Sequence, residues 1–91
     1  TPSSLTIIRD SSPVAALVPT IIYLNNTEVA SIKNGESVTI PIKMRNNLLQ
    51  TNAVVGLNGR LERYEFAVQD GARGTIHVKG GIFDKKNVVW H

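Results

Sequence analysis

Short runs of alternating apolar and polar residues are the most regular feature of the chain. In residues 36–44, Val38, Ile40 and Ile42 share one parity, and Ser37 and neighbouring polar positions take the other. Successive side chains of a β-strand point to opposite faces, so this period of two predicts half-buried strands. Seven or eight strands are predicted between the turns, with candidates at residues 5–9, 20–24, 27–33, 36–44, 48–57, 61–69, 74–79 and 87–90. Alternation is clear in 36–44, 61–69 and 74–79, and the pattern of 48–57 is mixed.

Turn signals separate these runs at intervals of roughly ten residues, which is typical of sandwiches and barrels. Asn-Gly, Asp-Gly and related pairs supply the positive φ angles of tight hairpins. The pairs are Asn25–Asn26, Asn34–Gly35, Asn46–Asn47, Asn58–Gly59, Asp70–Gly71 and Gly80–Gly81. No helical run is available to join parallel neighbours. The pattern therefore predicts an all-β fold, an antiparallel two-sheet sandwich of about seven strands, immunoglobulin-like or transthyretin-like.

The length predicts one sandwich domain over residues 1–91, with residues 1–4 and 91 as terminal tails. Hydrophobic residues make up 42% of the chain and aromatic residues 5%, so the core must consist mainly of Val, Ile and Leu. Pro41 interrupts a predicted strand and cannot donate a backbone hydrogen bond, which places that strand at a sheet edge or at a bulge.

The absence of cysteine excludes disulfides, zinc-thiolate sites, thiol nucleophiles and iron–sulfur clusters. No apolar run reaches the roughly 20 residues that a membrane helix needs. The chain begins with threonine, which suggests that a leader or lipid anchor has been removed. The formal charge is +3, and its cations are spread along the chain instead of clustering as nucleic-acid binding would require.

Candidates for catalysis are few. His77 and His91 are the only histidines, and a zinc site or a nucleophilic triad would have to be built from them. Glu62 and Glu65 have opposite strand parity, so they face different sides of the sheet and cannot act as a carboxylate pair. We therefore expect no enzyme activity, no metal and no cofactor.

The hairpin region carries a family resemblance. Residues 5–9 read Leu-Thr-Ile-Ile-Arg, a Ser/Pro/Ala loop follows, and residues 22–37 read Ile-Tyr-Leu-Asn-Asn-Thr-Glu-Val-Ala-Ser-Ile-Lys-Asn-Gly-Glu-Ser. This stretch resembles a family of small uncharacterised bacterial domains that are often attached to lipoprotein signal peptides. The resemblance covers about a third of the chain and implies a sandwich fold and a bacterial envelope location, periplasmic or membrane-anchored. It transfers no catalytic residue, and Asn25–Asn26 stands where such domains commonly have Asp-Gly or Asn-Gly.

Residues 10–19 form the main irregular connection, and they contain the first candidate binding residues, Val14, Leu17 and Val18. Exposed, these side chains would form an apolar patch for a partner. The alternative, which we favour, is that they fold back and cap the end of the sandwich. Trp90, the only tryptophan, is the fourth candidate and serves either as a core anchor or as an interface residue, at least half buried in both cases.

These observations favour a non-enzymatic protein–protein interaction or structural module, the globular domain of a bacterial envelope lipoprotein. Its partner would be another envelope-associated protein, reached through a sheet edge or the 10–19 loop. A carbohydrate-binding or other ligand-binding sandwich is the alternative, although it would need several exposed aromatic side chains. A small nucleic-acid-binding barrel is the second alternative, and its candidate cations are Arg45, Arg60, Arg63, Lys85 and Lys86.

Overall fold

A computed structural model describes residues 2–13 and 17–91, apart from the side chain of Val55. The described residues form nine strands in two sheets that pack as a sandwich, which confirms the predicted fold class. The elements are β1 (Ser3–Arg9), β2 (Thr20–Leu24), β3 (Thr27–Ile32), β4 (Ser37–Ile42), β5 (Asn46–Val55), β6 (Arg60–Ala67), β7 (Arg73–Lys79), β8 (Ile82–Phe83) and β9 (Val89–Trp90), with a short 3₁₀ helix at Lys85–Asn87. Eight of these strands overlap the predicted candidates, β9 within the predicted 87–90 segment, and the additional strand is β8, which contains only two residues.

The first sheet has the order β4–β1–β7–β8, and β9 also pairs with β7. Strand β1 runs antiparallel to β4, which places Leu5 opposite Ile40. It runs parallel to β7, with Ile7 beside Ile76, so the prediction of antiparallel pairing fails for this pair. Parallel neighbours require a long connection. Here the connection consists of β2 to β6 and replaces the crossover helix that the sequence lacks.

The second sheet has the order β3–β2–β5–β6, and all of its pairs are antiparallel. Asn25 and Asn26 have φ angles of 52° and 69°, as a two-residue hairpin turn requires at both central positions, so the turn predicted there is confirmed. The turn predicted at Asn46–Asn47 is wrong, because both residues belong to β5. The Asn47 side chain instead donates a 2.8 Å hydrogen bond to the Met44 carbonyl oxygen and closes the connection that precedes β5.

The core lies between the two sheets and follows the predicted alternation. In β1, for example, Leu5 and Ile7 are buried, whereas Thr6 and Ile8 lie on the outer face and are half-buried. Aliphatic side chains supply nearly all of this core, as the scarcity of aromatic residues implies. Its buried members are Leu5, Ile7, Ile22, Ile32, Ile40, Ile42, Leu49, Val68, Ile76, Val78 and Phe83.

Edges and termini also test the sequence analysis. Pro41 lies on β4 at an edge of the first sheet, as predicted. The prediction of terminal tails is wrong for the described residues 3, 4 and 91. Ser3 and Ser4 pair with β4 as part of β1, and His91 exchanges two backbone hydrogen bonds with Arg73. Backbone pairing to a neighbouring strand therefore holds Ser3, Ser4 and His91 in place.

Candidate interaction surface at the hairpin end

One end of the sandwich gathers the connections of both sheets. Because β2 pairs with β5 so that Ile22 lies opposite Thr51, the start of β2 lies beside the last residues of β5. One depression at this end is lined by Arg9, Val18, Asn52 and Gly80. The C-terminal ends of β1 and β7 therefore lie at this end as well. We call it the hairpin end, because the β5–β6 turn projects from it.

The first part of the 10–19 connection is held against the first sheet. The Asp10 amide donates to the Val78 carbonyl oxygen at 2.9 Å, and the Ser12 amide donates to Asn34 Oδ1 at 3.0 Å. Below these contacts Arg9 is only 3% exposed, and its guanidinium donates to the Ile32 carbonyl oxygen at 2.7 Å. These bonds place polar groups at this end of the core.

The second part of the connection is attached to the second sheet by Asn52 of β5. Asn52 Oδ1 accepts a hydrogen bond from the Ile21 amide, and Asn52 Nδ2 donates to the Pro19 carbonyl oxygen, both at 3.3 Å. Leu17 is 98% exposed and Val18 is 55% exposed. The favoured interpretation that these side chains cap the sandwich is therefore wrong for Leu17 and Val18, since Asn52 holds this segment alongside β5. Val14 lies outside the described residues.

Further apolar side chains are exposed on the adjoining tip of the β5–β6 hairpin. Val54 and Leu61 are cross-strand partners, and Leu57 lies in the turn between their strands. All three are exposed, Leu57 completely so. Sequence analysis missed them, although the apolar residues flanking the predicted Asn58–Gly59 turn were a usable signal. We call Leu17, Val18, Val54, Leu57 and Leu61 the apolar end surface.

The β5–β6 hairpin extends beyond the core because the first sheet, which faces it, ends earlier. Thr51 Oγ1 donates a 2.7 Å hydrogen bond to the Gly81 carbonyl oxygen, so the β7–β8 turn lies directly over this part of β5. A Cβ atom at Gly81 would lie 2.5 Å from the Ala53 Cβ, which shows how closely the two backbones approach. Strand β7 ends at Lys79, and the register of β5 against β6 shifts between Gln50 and Val54. Beyond Ala53 the hairpin therefore extends past the packed part of the sandwich.

Trp90, the remaining candidate binding residue, lies elsewhere. Its ring centroid is 5.6 Å from that of Phe66, and it packs against the core as a half-buried side chain. A Cβ at Gly74 would lie 2.5 Å from the Trp90 ring, so the absence of a side chain there makes room for the indole. The structure therefore does not bring Trp90 together with Leu17 and Val18.

Three ion pairs of the described residues bear on the candidate chemistry, and they are separate from one another. His77 Nδ1 lies 2.8 Å from Asp10 Oδ1 on the outer face of the first sheet, with both side chains more than two-fifths exposed. Arg63 pairs with Glu65 on the outer face of β6. These are surface pairs of the kind that contributes about 0–1 kcal/mol to stability.

The third pair joins Glu62 to Lys85, and Glu62 is its buried member. Glu62, on the inner face of β6, is 5% exposed, and its Oε1 lies 2.8 Å from Lys85 Nζ, although the angles are not those of a hydrogen bond. Glu62 and Glu65 thus face opposite sides of the sheet, as predicted. Among the described residues, no three His, Asp or Glu side chains are grouped to hold a metal. Within residues 2–13 and 17–91, Asp10 is the one side-chain partner of the His77 imidazole, and no hydroxyl group is hydrogen-bonded to this ring as a nucleophile would be.

Four of the five aromatic side chains are arranged for packing, and Tyr23 lies half-buried on the outer face of β2. Tyr64 and Phe66 stack with their centroids 5.3 Å apart, Trp90 continues this group, and Phe83 is buried in the core. An open depression of about 870 Å³ at the opposite end of the sandwich is lined by residues such as Pro2, Ile42 and Met44, without an aromatic ring. A sugar-binding face of stacked aromatic rings therefore has no counterpart in the described part of the chain.

The candidate nucleic-acid-binding cations are also dispersed. Arg45 precedes β5 and Arg60 begins β6, so they lie at opposite ends of the β5–β6 hairpin. Arg63 and Lys85 each have a carboxylate partner. A groove that tracks a phosphate backbone requires cations in a continuous row. This arrangement does not provide one.

Comparisons with known proteins leave the chain without a neighbour. No protein-family model matches it, and neither does any curated protein or solved structure. The resemblance of residues 5–37 to small envelope domains therefore stays a prediction. No described helix has the length and apolar character needed to cross a bilayer.

Proposed function

We propose that this domain is a non-enzymatic interaction module that binds another protein through the apolar end surface. The observation that carries the proposal is the exposure of five aliphatic side chains on two neighbouring segments at one end of the sandwich, led by Leu17 and Leu57. Scattered apolar side chains are normal on protein surfaces, whereas a contiguous group marks an interaction site. Asn52 supports this assignment because it keeps both segments side by side.

The chemistry of the surface favours a protein over a lipid bilayer. Proteins that insert into membrane interfaces use Trp and Tyr, together with several cations that attract anionic headgroups. The apolar end surface consists of Leu and Val alone, and between Val54 and Leu61 the hairpin carries a single charge, that of Arg60. We infer a partner with an apolar groove that carries an acidic side chain to meet Arg60. From the resemblance of residues 5–37, we expect this partner in the bacterial envelope.

Affinity capture with three forms of the chain tests the proposal. Wild type, L17S/L57S and the control V29S/I82S are immobilised and exposed to periplasmic and membrane extracts of the source organism. Val29 and Ile82 are exposed aliphatic residues on β3 and β8, so the control replaces two exposed aliphatic side chains outside the apolar end surface. We expect a protein that wild type and control retain at least about tenfold better than L17S/L57S, since loss of a desolvated hot spot costs about 2 kcal/mol or more.

The captured protein is then identified, purified and titrated against the same three variants. Direct binding that falls only in L17S/L57S supports the proposal. Equal retention by all three variants contradicts it. Binding of the wild type to phosphatidylglycerol-containing vesicles, lost in L17S/L57S, would also overturn it in favour of a membrane-binding end.

A further inference from the structure

The four sheet edges differ in how they are protected from pairing with another chain. An unpaired edge strand is a template for strand addition, and proteins blunt it with proline, bulges or short strands. Strand β4 carries Pro41, β3 contains a register shift against β2 near Val29, and β8 and β9 have two residues each. Strand β6 ends the order of the second sheet with eight residues and no proline. Its register against β5 shifts between Gln50 and Val54, but the extra residues lie on β5, so the bulge is not on β6 itself.

The outer face of β6 carries a charge pattern that suits self-association. Arg63 and Glu65 are two residues apart and point to the same side. Across the hairpin they face Gln50 and Leu48, so β5 offers neither a charged partner. Like charges on an edge strand repel a second copy. Opposite charges at this spacing instead become complementary when the second copy approaches in the antiparallel direction.

We propose that two copies of this chain pair through their β6 edges, antiparallel, with Tyr64 lying opposite Tyr64 of the second copy. In this register Arg63 faces Glu65 of the second copy, and Glu65 faces its Arg63. Leu61 faces Ala67 of the second copy in the same way. The contact is isologous, as a two-fold dimer requires, and it joins the two second sheets into one continuous eight-stranded sheet.

An inward-pointing charge can also protect an edge, and Glu62 is such a residue. However, its carboxylate is already 95% removed from solvent in the single chain and is neutralised by Lys85. Pairing of β6 would therefore leave Glu62 in the environment that it already has. The charges that pairing newly brings together are those of Arg63 and Glu65.

The predicted dimer is weak, because strand addition along eight residues buries less than the roughly 1,000 Å² that stable interfaces exceed. Leu61 belongs both to this contact and to the apolar end surface, but the residues varied in the two tests are different: Arg63 and Glu65 here, Leu17 and Leu57 there. Failure of one proposal would leave the other standing.

Sedimentation of charge variants separates attraction between chains from the pair within one chain. R63E places two acidic residues on the edge, and E65R places two basic ones. Each variant alone should dimerise about tenfold or more weakly than wild type, because both cross-strand pairs change from attractive to repulsive. An equimolar mixture of R63E and E65R should recover the dimer as a heterodimer, although neither chain retains its internal ion pair.

Disulfide crosslinking tests the register, and the chain has no cysteine to interfere. R63C mixed with E65C should crosslink on oxidation, since directly opposed Cβ atoms lie about 4.5–5.5 Å apart. R63C alone should not, because its symmetry mate lies diagonally, about 7–8 Å away. A wild type that stays monomeric at about 1 mM, well above the range of weak interfaces, would overturn the proposal. A dimer that ignores both charge variants, or that crosslinks R63C to itself, would overturn the register.

Discussion

The base of the β5–β6 hairpin, around Leu49, and its tip, around Leu57, both carry aliphatic side chains but have opposite surroundings. Leu49 in the base is 0% exposed, whereas Leu57 at the tip is 107% exposed. The base faces the first sheet, which covers it as far as the contact between Gly81 and Ala53. The tip continues beyond that contact with nothing opposite among the described residues. Burial here depends on a facing layer of structure and not on the type of residue.

This difference also separates structural from functional apolar residues. Aliphatic side chains in the base are accounted for by packing, because each one fills space between the sheets. Those at the tip are exposed in the single chain, and the partner that we propose would cover them. Substitutions in the two halves should therefore affect different measurements.

The largest expected effect is on the free energy of unfolding, when the same side-chain atoms are removed from Leu49 in the base and from Leu57 at the tip. Leu49→Ala leaves a cavity between the sheets, and we expect it to lower the free energy of unfolding by about 2–5 kcal/mol. Leu57→Ala removes an exposed side chain and should change that free energy by no more than about 0.5 kcal/mol. Urea unfolding followed by tryptophan fluorescence measures both. Comparable losses in the two variants would mean that the tip is packed in solution.

A smaller effect should mark the boundary between the two halves, and the glycine pair of the β7–β8 turn provides a matched test. Gly80 and Gly81 both have positive φ angles, of 60° and 80°, so alanine at either position costs about 1–2 kcal/mol in backbone strain. Only at Gly81 would the new Cβ meet Ala53, 2.5 Å away, while nothing lies within 4 Å at Gly80.

We therefore expect Gly81→Ala to destabilise the fold by about 1–3 kcal/mol more than Gly80→Ala, because the turn must move off β5. Thermal unfolding of the two variants gives the difference directly. Equal losses would show that backbone strain alone accounts for the pair, and that the turn does not press on the hairpin.

The sequence was sufficient for the fold wherever a pattern is local. Period-two alternation located β4, β6 and β7, whereas the longest strand, β5, showed only a mixed pattern. The paired asparagines at 25–26 predicted their turn through the positive φ that they tolerate. Strand β8 was not predicted, because two residues cannot display a period. The parallel pairing of β1 with β7 was not predicted either, since it depends on how the sheets assemble and not on either strand alone.

The candidate site was only half predictable for a related reason. Leu17 and Val18 were identified from their apolar character, but their exposure is set by hydrogen bonds to Asn52, which lies more than thirty residues away in sequence. The apolar residues of the hairpin tip resemble core residues until the length of the facing sheet is known. Non-local geometry therefore decides which aliphatic side chains remain available.

The smallest expected effect concerns the side chain that links the two segments of the apolar end surface. Asn52→Ala removes the acceptor for the Ile21 amide and the donor to the Pro19 carbonyl oxygen. Since both bonds are exposed, we expect the free energy of unfolding to fall by roughly 0.5–1 kcal/mol and the Ile21 amide proton to exchange about two- to fivefold faster.

Asn52→Asp is the matched variant, because its carboxylate still accepts a hydrogen bond from the Ile21 amide but cannot donate one to the Pro19 carbonyl oxygen. Amide exchange by NMR should therefore show Ile21 exchanging at about the wild-type rate in Asn52→Asp and about two- to fivefold faster in Asn52→Ala. If Ile21 exchanges equally in all three proteins, Asn52 does not hold the 17–19 segment, and the alignment of Leu17 and Val18 with the hairpin tip needs another cause.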